Sequence, residues 1–167
     1  VGTPYHSAAR HYLTQRLNAS YAEMERDRVH RYDAALYWRF LYEQYGDMRI
    51  MRAALEEMAC HYNPDIEAAL DEVMTAAMAR VPGPFASFEE SLVAFGRANY
   101  ALRLGDGRCA STAAGACRGR YYDPDQLYAR PALEAELQYD GSELAYAGAI
   151  PSRYGMDLIE VDLTRGA

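Results

Sequence analysis

The sequence contains no lysine, no long apolar run and none of the short motifs that mark nucleotide-binding or serine-hydrolase sites. A helix that crosses a bilayer needs about 20 consecutive apolar residues, and no stretch of this chain is of that kind. A phosphate-binding glycine-rich loop, a dinucleotide fingerprint and a Gly-x-Ser-x-Gly nucleophile elbow are all missing. We therefore expect neither a membrane span nor a nucleotide site.

The chain is acidic, with a net charge of −7. Nucleic-acid binding depends on clustered cations that neutralise phosphates, so we expect no nucleic-acid partner. All 17 basic residues are arginine, and there are 15 tyrosines. Because guanidinium groups stack on aromatic rings, Arg31-Tyr32, Arg120-Tyr121-Tyr122 and Arg153-Tyr154 could form a recognition surface. Tyrosines packed between helices are the alternative that we favour.

The spacing of apolar residues indicates a mainly α fold. The chain has 167 residues, half of them hydrophobic, which is enough for one domain with its own core. Apolar residues recur at helical spacing as far as residue 104, whereas strand-like alternation begins only after residue 132. We predict a bundle of about six helices over 1–104, a loop-rich connection over 105–131 and a short β segment over 132–167. This segment either packs on the bundle or begins a truncated β-domain.

Capping residues, prolines and glycines predict where the helices begin and end. Ser87-Phe88-Glu89-Glu90 is a capping box that opens the last helix, and Val81-Pro82-Gly83-Pro84 separates it from the helix before. The six predicted helices cover 4–17, 20–31, about 33–45, a stretch after Asp47, a stretch after Asn63-Pro64, and 88–104.

Each of the last four predicted helices has an apolar face that we expect to be buried. In the third helix, Arg39, Glu43 and Gln44 are expected on the opposite, polar side. The predicted buried faces are Ala34, Tyr37, Trp38, Leu41 and Tyr45 in the third helix; Met51, Leu55, Met58 and Tyr62 in the fourth; Ile66, Leu70, Val73 and Ala77 in the fifth; and Phe88, Leu92, Phe95 and Leu102 in the sixth.

The residues after the bundle indicate turns and strands. Asp123-Pro124-Asp125 predicts a solvated turn rather than a calcium site, because the spaced oxygen ligands and glycine of a calcium loop are missing. Alternating residues predict strands at 133–137 and 159–163, and Asp140-Gly141 is typical of a hairpin turn.

The three cysteines lie in two different settings. Cys60 falls in a helical pattern and is expected to be a small buried hydrophobe. Cys109 and Cys117 enclose a loop of small residues that has little apolar surface to order it. We predict a disulfide between them, which would indicate an extracytoplasmic location; two free thiols in a cytoplasmic loop are the alternative.

The residues themselves suggest no strong metal site. Glu57 and His61 lie one helical turn apart beside Cys60, which permits a shared metal ion. A surface pair is the better interpretation, because no third and fourth ligand stands at a recognisable spacing.

The segment from Tyr32 to Gly46 resembles an element of the gluzincin metallopeptidases, notably those of the zinc aminopeptidase type. In that family a Tyr-Glu-Lys-Gly sequence opens a helix that continues to a Leu-Glu-Gln-like end and a glycine. Asp33 replaces the family's Glu conservatively, whereas Ala34 and Ala35 stand where Lys and Gly are usual. The resemblance, which extends weakly over about the first hundred residues, implies that Tyr32 stabilises the oxyanion of the tetrahedral intermediate.

The zinc-binding motif of that family, His-Glu-x-x-His, does not occur in this chain. Since the family's motif lies upstream of the tyrosine, we expect this chain to be a non-catalytic helical part of a larger protein, or a relative that has lost the site. Its role would be to wall the active-site cleft beside an upstream catalytic domain. We expect no cofactor in the chain itself, with zinc possible in the full-length protein.

A second hypothesis comes from a different functional class. The chain could be a stand-alone helical interaction module that binds a peptide or a glycan through its tyrosine and arginine residues. For the gluzincin-like protein we expect a secreted or cell-envelope location, and the cytoplasm is the alternative.

Overall fold

A computed structural model of the chain describes residues 35–60, 66–111, 117–133, 135–138 and 159–162. This part of the chain is mainly helical and has a short strand segment, as predicted. Two of the predicted helices, 4–17 and 20–31, lie outside the described residues. The structure therefore supports four helices and not the predicted count of six. Tyr32 also lies outside the described residues. The helices are α1 (Ala35–Tyr45), α2 (Arg49–Cys60), α3 (Ile66–Arg80) and α4 (Phe88–Leu104).

Helix α1 lies at the centre of the described core. Its buried residues are Leu36, Tyr37, Phe40, Leu41 and Gln44. The predicted polar side of this helix was therefore wrong at Gln44, which is buried. The chain after α4 covers that side of α1, so its polar side chains bond to backbone groups there instead of to water.

The predicted buried face of α2 was also wrong. Leu55 is 64% exposed and Met58 is 40% exposed, whereas Ile50, Ala53 and Ala54 are buried. Helix α2 therefore places its small alanine side chains toward the core, which allows a neighbouring helix to approach closely. The expected buried position of Cys60 was wrong too, because this last residue of α2 is exposed.

Helices α3 and α4 follow the sequence prediction closely. Leu70, Val73 and Ala77 of α3 are buried, and the helix ends at Arg80, before the predicted break. In α4, Phe88, Phe95 and Leu102 are buried as predicted, and Leu92 is half-buried. Ala34, Tyr62 and the side chain of Ile66, from the predicted faces, lie outside the described residues.

The cap of α4 confirms the predicted helix start with one change. The Ser87 hydroxyl accepts a hydrogen bond from the Glu90 amide at 3.2 Å. The Glu90 carboxylate accepts from the amide of Ala86 at 2.7 Å, one residue earlier than in the standard capping box. Gly105 ends the helix in the left-handed conformation, with φ of 96°.

Aromatic side chains join the helices to the segment that follows them. The ring of Phe40 lies 5.4 Å from that of Phe95 and 6.0 Å from that of Tyr121, between centroids. Tyr121 in turn lies 5.3 Å from Tyr128. Both tyrosines are buried, so Tyr121 belongs to the helical core and not to a surface of stacked arginine and tyrosine.

Among the described residues, four short strands form two parallel pairs. Strands β1 (Arg108–Cys109) and β2 (Tyr121–Tyr122) pair in the register Arg108 with Tyr121. Strands β3 (Ala135–Gln138) and β4 (Ile159–Asp162) pair from Ala135 with Ile159 to Gln138 with Asp162. The strands predicted near 133–137 and 159–163 are thus confirmed, whereas the hairpin turn expected at Asp140-Gly141 lies outside the described residues. Across the ranges that are described, no helix is both long and apolar enough to span a membrane.

Gly107 lies where the chain folds back against the end of α4. Its amide donates to the carbonyl of Ala101 at 2.8 Å. A Cβ atom added to Gly107 would lie 2.1 Å from the backbone nitrogen of Leu102. Because backbone atoms cannot move aside as a flexible side chain does, only glycine fits at this position.

We predict that Gly107→Ala lowers the free energy of unfolding by about 3 kcal/mol, through the overpacking of helix backbone. The matched control is Gly119→Ala, where φ is +69° and no atom lies within 4 Å of the added Cβ. That change should cost only about 1 kcal/mol of left-handed strain. Urea denaturation of the two variants measures both values, and equal destabilisation would contradict the close approach at Gly107.

Candidate functional site

Two consecutive polar residues at the end of α1, Glu43 and Gln44, bind the backbone of the chain after α4. The Gln44 side-chain oxygen accepts from the amide of Gly119 at 2.7 Å. Its side-chain nitrogen donates to the carbonyls of Arg120, at 3.2 Å, and Cys117, at 3.4 Å. An amide side chain offers both donors and an acceptor, so one glutamine bonds to three backbone groups of this turn. We call Glu43 and Gln44 the α1 clamp.

Glu43 holds the next part of the same segment. One carboxylate oxygen accepts from the amide of Tyr122 at 2.9 Å, and the other accepts from the Arg39 guanidinium at 2.5 Å. The Glu43 side chain is only 5% exposed. Burial raises its pKa above the usual carboxylate range, against the opposing effects of the Tyr122 hydrogen bond and the Arg39 charge; the charge of Asp123 adds a smaller upward effect.

Asp123 orders the turn that follows β2. Its carboxylate accepts from the amides of Leu127, at 2.7 Å, and Tyr128, at 3.2 Å. The same group pairs with the Arg108 guanidinium at 3.1 Å. The predicted turn is present at Pro124 and Asp125, but the expectation that its residues are solvated was wrong for Asp123. This carboxylate is buried because backbone amides and an arginine replace its water.

A disulfide joins strand β1 to the turn that precedes β2. Cys109 and Cys117 are bonded, with 5.4 Å between their Cα atoms, so the predicted pairing is confirmed. Cys109 ends β1, and Cys117 precedes β2 in the turn that Gln44 binds. The bond therefore fixes both β1 and the clamped turn to one position beside α1.

These contacts frame an open cleft of about 230 Å³ between α1 and the turn after β2. The Arg39 guanidinium carbon lies 5.3 Å from the centroid of the Tyr42 ring, a cation–π distance. The cleft itself combines the Arg39 cation, two carboxylates, two tyrosine rings and aliphatic surface, a mixture of polar and apolar groups that is typical of small-molecule sites. Its lining residues are Arg39, Tyr122, Asp123, Pro124, Asp125, Leu127 and Tyr128.

Sequence reasoning missed this cleft because its two walls are about eighty residues apart in the chain. No motif connects Arg39 with the turn at Asp123. The Arg120-Tyr121-Tyr122 run was considered as part of a recognition surface. Only Tyr122 of this run lines the cleft, whereas Tyr121 packs in the core.

The residues predicted from motifs are not brought together in the described part of the chain. Tyr32 and all four histidines, including His61, lie outside it. Glu57 forms an ion pair with Arg80, which also pairs with Glu56 at 2.7 Å. Within the ranges that the structure describes, no three residues among His, Cys, Asp and Glu lie close enough to hold a metal ion.

Neither a protein-family model nor a curated protein nor a solved structure matches this chain. The features of the described residues that bear on function are a helix held on two sides, a disulfide and a cleft with polar and aromatic lining.

We predict one free thiol in the denatured, unreduced protein, contributed by Cys60. Cys60→Ser should then give none, and reduction of the wild-type chain should give all three. Reduction should also lower the free energy of unfolding by about 2–3 kcal/mol, because the open loop gains entropy in the unfolded chain. A thiol-reactive dye measures the count, and three thiols before reduction would contradict the disulfide.

A second prediction concerns the pH dependence of stability. The raised pKa of Glu43 means that the folded chain binds this proton more tightly than the unfolded chain. The contribution of Glu43 to stability is therefore present at low pH and is lost as pH rises through its folded pKa. In Glu43→Gln the loss should disappear, so the variant should gain stability relative to wild type between about pH 4 and about pH 7.

Glu56→Gln is the control for this measurement. Hydrogen bonds from Arg52 and Arg80 lower the pKa of the exposed Glu56 carboxyl. Relative to wild type, the free energy of unfolding of Glu56→Gln should therefore change with pH in the opposite direction. Urea denaturation at the two pH values measures both differences. A Glu43→Gln variant that loses stability relative to wild type as pH rises would show that Glu43 is stabilised in its charged form.

Proposed function

We propose that this chain is the non-catalytic helical portion of a larger, gluzincin-like metallopeptidase-related protein. The observation that carries the proposal is the form of the segment from Tyr32 to Gly46, the one with the family resemblance. Its described part is an unbroken helix from Ala35 to Tyr45, followed by Gly46 with φ of +77°. A helix that ends on a left-handed glycine is the element that the resemblance implies.

The packing of this helix suits the role of a cleft wall. Helix α1 is held by the aromatic core through Phe40 and by the clamped turn through Glu43 and Gln44. A helix bound on two sides keeps a constant position, as a residue that must stabilise an oxyanion requires. In this proposal α1 presents Tyr32 to the active-site cleft of the complete protein.

Zinc and the catalytic base would come from an upstream catalytic domain of the same polypeptide. Zinc supplies Lewis-acid activation of water and of the peptide carbonyl, and the role of this chain is to position the tyrosine hydroxyl. The Cys109–Cys117 disulfide favours an oxidising compartment. We therefore propose a secreted or cell-envelope location.

The test uses the longest polypeptide in which this chain is encoded. We expect it to contain His-Glu-x-x-His upstream of Val1, to bind zinc stoichiometrically and to cleave peptides, while the isolated chain does neither. Tyr32→Phe should lower turnover by about 10²–10³, the effect of losing one oxyanion donor, with zinc content and unfolding free energy nearly unchanged. Tyr42→Phe, on the same helix, is the control and should keep full turnover.

Two results would contradict the proposal. Tightly held zinc in the isolated chain would mean that the metal site lies within these residues. Full activity in Tyr32→Phe would remove the role of its hydroxyl.

The second candidate function, a module that binds a peptide or glycan, is favoured by the cleft beside Arg39. Tyr122 lines this cleft with the exposed Asp125 and Leu127, and aromatic rings with nearby carboxylates recognise both sugars and peptide side chains. Saturable binding of a peptide or glycan to the isolated chain, lost in Tyr122→Ala, would favour this module over the peptidase-related function.

A further inference from the structure

The charges that line the cleft beside Arg39 are paired within the chain, with one exception. The Arg39 guanidinium pairs with Glu43 at 2.5 Å, and the buried Asp123 carboxylate pairs with Arg108 at 3.1 Å. Asp125 also lines the cleft and is exposed. Among the residues that the structure describes, nothing forms an ion pair or a hydrogen bond with its side chain. The cleft therefore presents one uncompensated negative charge.

Two tyrosines, the half-buried Tyr122 and the buried Tyr128, line the cleft together with this charge. Aromatic rings attract cations to their faces, and a carboxylate accepts two parallel hydrogen bonds from a guanidinium group. The chain already contains this combination, because the Arg39 guanidinium lies 5.3 Å from the centroid of the Tyr42 ring and pairs with Glu43. A planar guanidinium suits flat rings better than the compact, strongly hydrated ammonium group of lysine does.

We propose, on the basis of the second candidate function, that the cleft binds the arginine side chain of a basic peptide. Its guanidinium group would lie on the Asp125 carboxylate and beside the Tyr122 ring. Because the cleft is open to solvent, it can take up one side chain while the rest of the peptide lies outside. The net charge of −7 also attracts basic partners to the chain.

The wall of the cleft that carries Asp125 has a strained backbone. Among the described residues, Gln126 alone has a positive φ without being glycine, at 54°. This left-handed conformation brings its Cβ close to the following carbonyl oxygen. The Gln126 amide donates to the carbonyl of Asp123 at 3.2 Å, and its neighbours Asp125 and Leu127 both line the cleft. Strained residues cluster at sites that bind ligands, which supports a binding role for this wall.

An NMR titration of the full chain with two peptides tests the proposal. The first is a blocked glycine peptide with one central arginine, and the second has citrulline in its place, which keeps the shape of the side chain and removes its charge. The arginine peptide should bind saturably and at least about tenfold more tightly than the citrulline peptide. This difference should decrease at high salt, because the carboxylate is exposed.

Asp125→Asn should lower the affinity for the arginine peptide about tenfold, through the loss of a charged hydrogen-bond acceptor. Its affinity for the citrulline peptide should stay the same. The matched control is Glu72→Gln, which removes the same charge from an exposed position on α3, outside the cleft. This variant should bind the arginine peptide as the wild type does. Urea denaturation checks that both variants keep the wild-type stability.

Two results would overturn the proposal. One is equal affinity of the wild-type chain for the two peptides, and the other is an Asp125→Asn variant that binds the arginine peptide as tightly as the wild type. A chain that binds a neutral glycan through Tyr122, and not the arginine peptide, would also overturn it while supporting the binding module. The module itself is contradicted only if no peptide and no glycan shows saturable binding that Tyr122→Ala removes.

Discussion

The hydrogen bonds from Glu43 and Gln44 to the backbone of residues 117–122 are the interactions on which the rest of the described structure depends. The turn at 117–120, made of a cysteine, a glycine and two arginines, has little apolar surface of its own, so it needs polar partners to lie against a helix. Helix α1 supplies them from side chains that would otherwise face water. With the turn in place, Tyr121 enters the core and contacts Phe40. One pair of polar residues thereby connects the helical bundle to the chain after it.

The same contacts determine where a functional cleft can form. The disulfide restricts β1 and the clamped turn, and Asp123 orders the next turn through the amides of Leu127 and Tyr128. The cleft beside Arg39 lies between these elements and α1. Its walls are held by backbone hydrogen bonds and a covalent bond, which is the pre-organisation that the proposed binding of a peptide or glycan would need. The fixed position of α1 also supports the proposal that this helix presents Tyr32 to a larger active site.

The wrong polar side of α1 and the wrong apolar face of α2 have a common physical cause. Hydrophobic spacing identifies which residues share a side of a helix. It does not identify which side is buried when a helix packs on two sides, as α1 does, or when it has a second apolar side, as α2 does. In α1, Gln44 is buried because its hydrogen bonds replace those with water. In α2, two alanines face the core while the larger Leu55 and Met58 remain exposed. A hydrophobic pattern favours the larger side chains, so it selected the side of α2 with Leu55 and Met58 instead of the side that packs.

The sequence by itself determined the local features of this protein. The boundaries of α3 and α4, the Ser87 cap, the end at Gly105 and the turn after Asp123 follow from residue conformational preferences and short-range hydrogen bonds. The pairing of Cys109 with Cys117 was also predicted, because the small loop between them has few other means of ordering itself. Only the tertiary structure decided which helix faces are buried, how β1 pairs with β2, and that α1 meets the turn near residue 119. These contacts join residues up to about eighty positions apart, and no local preference or spacing encodes which of two distant surfaces will meet.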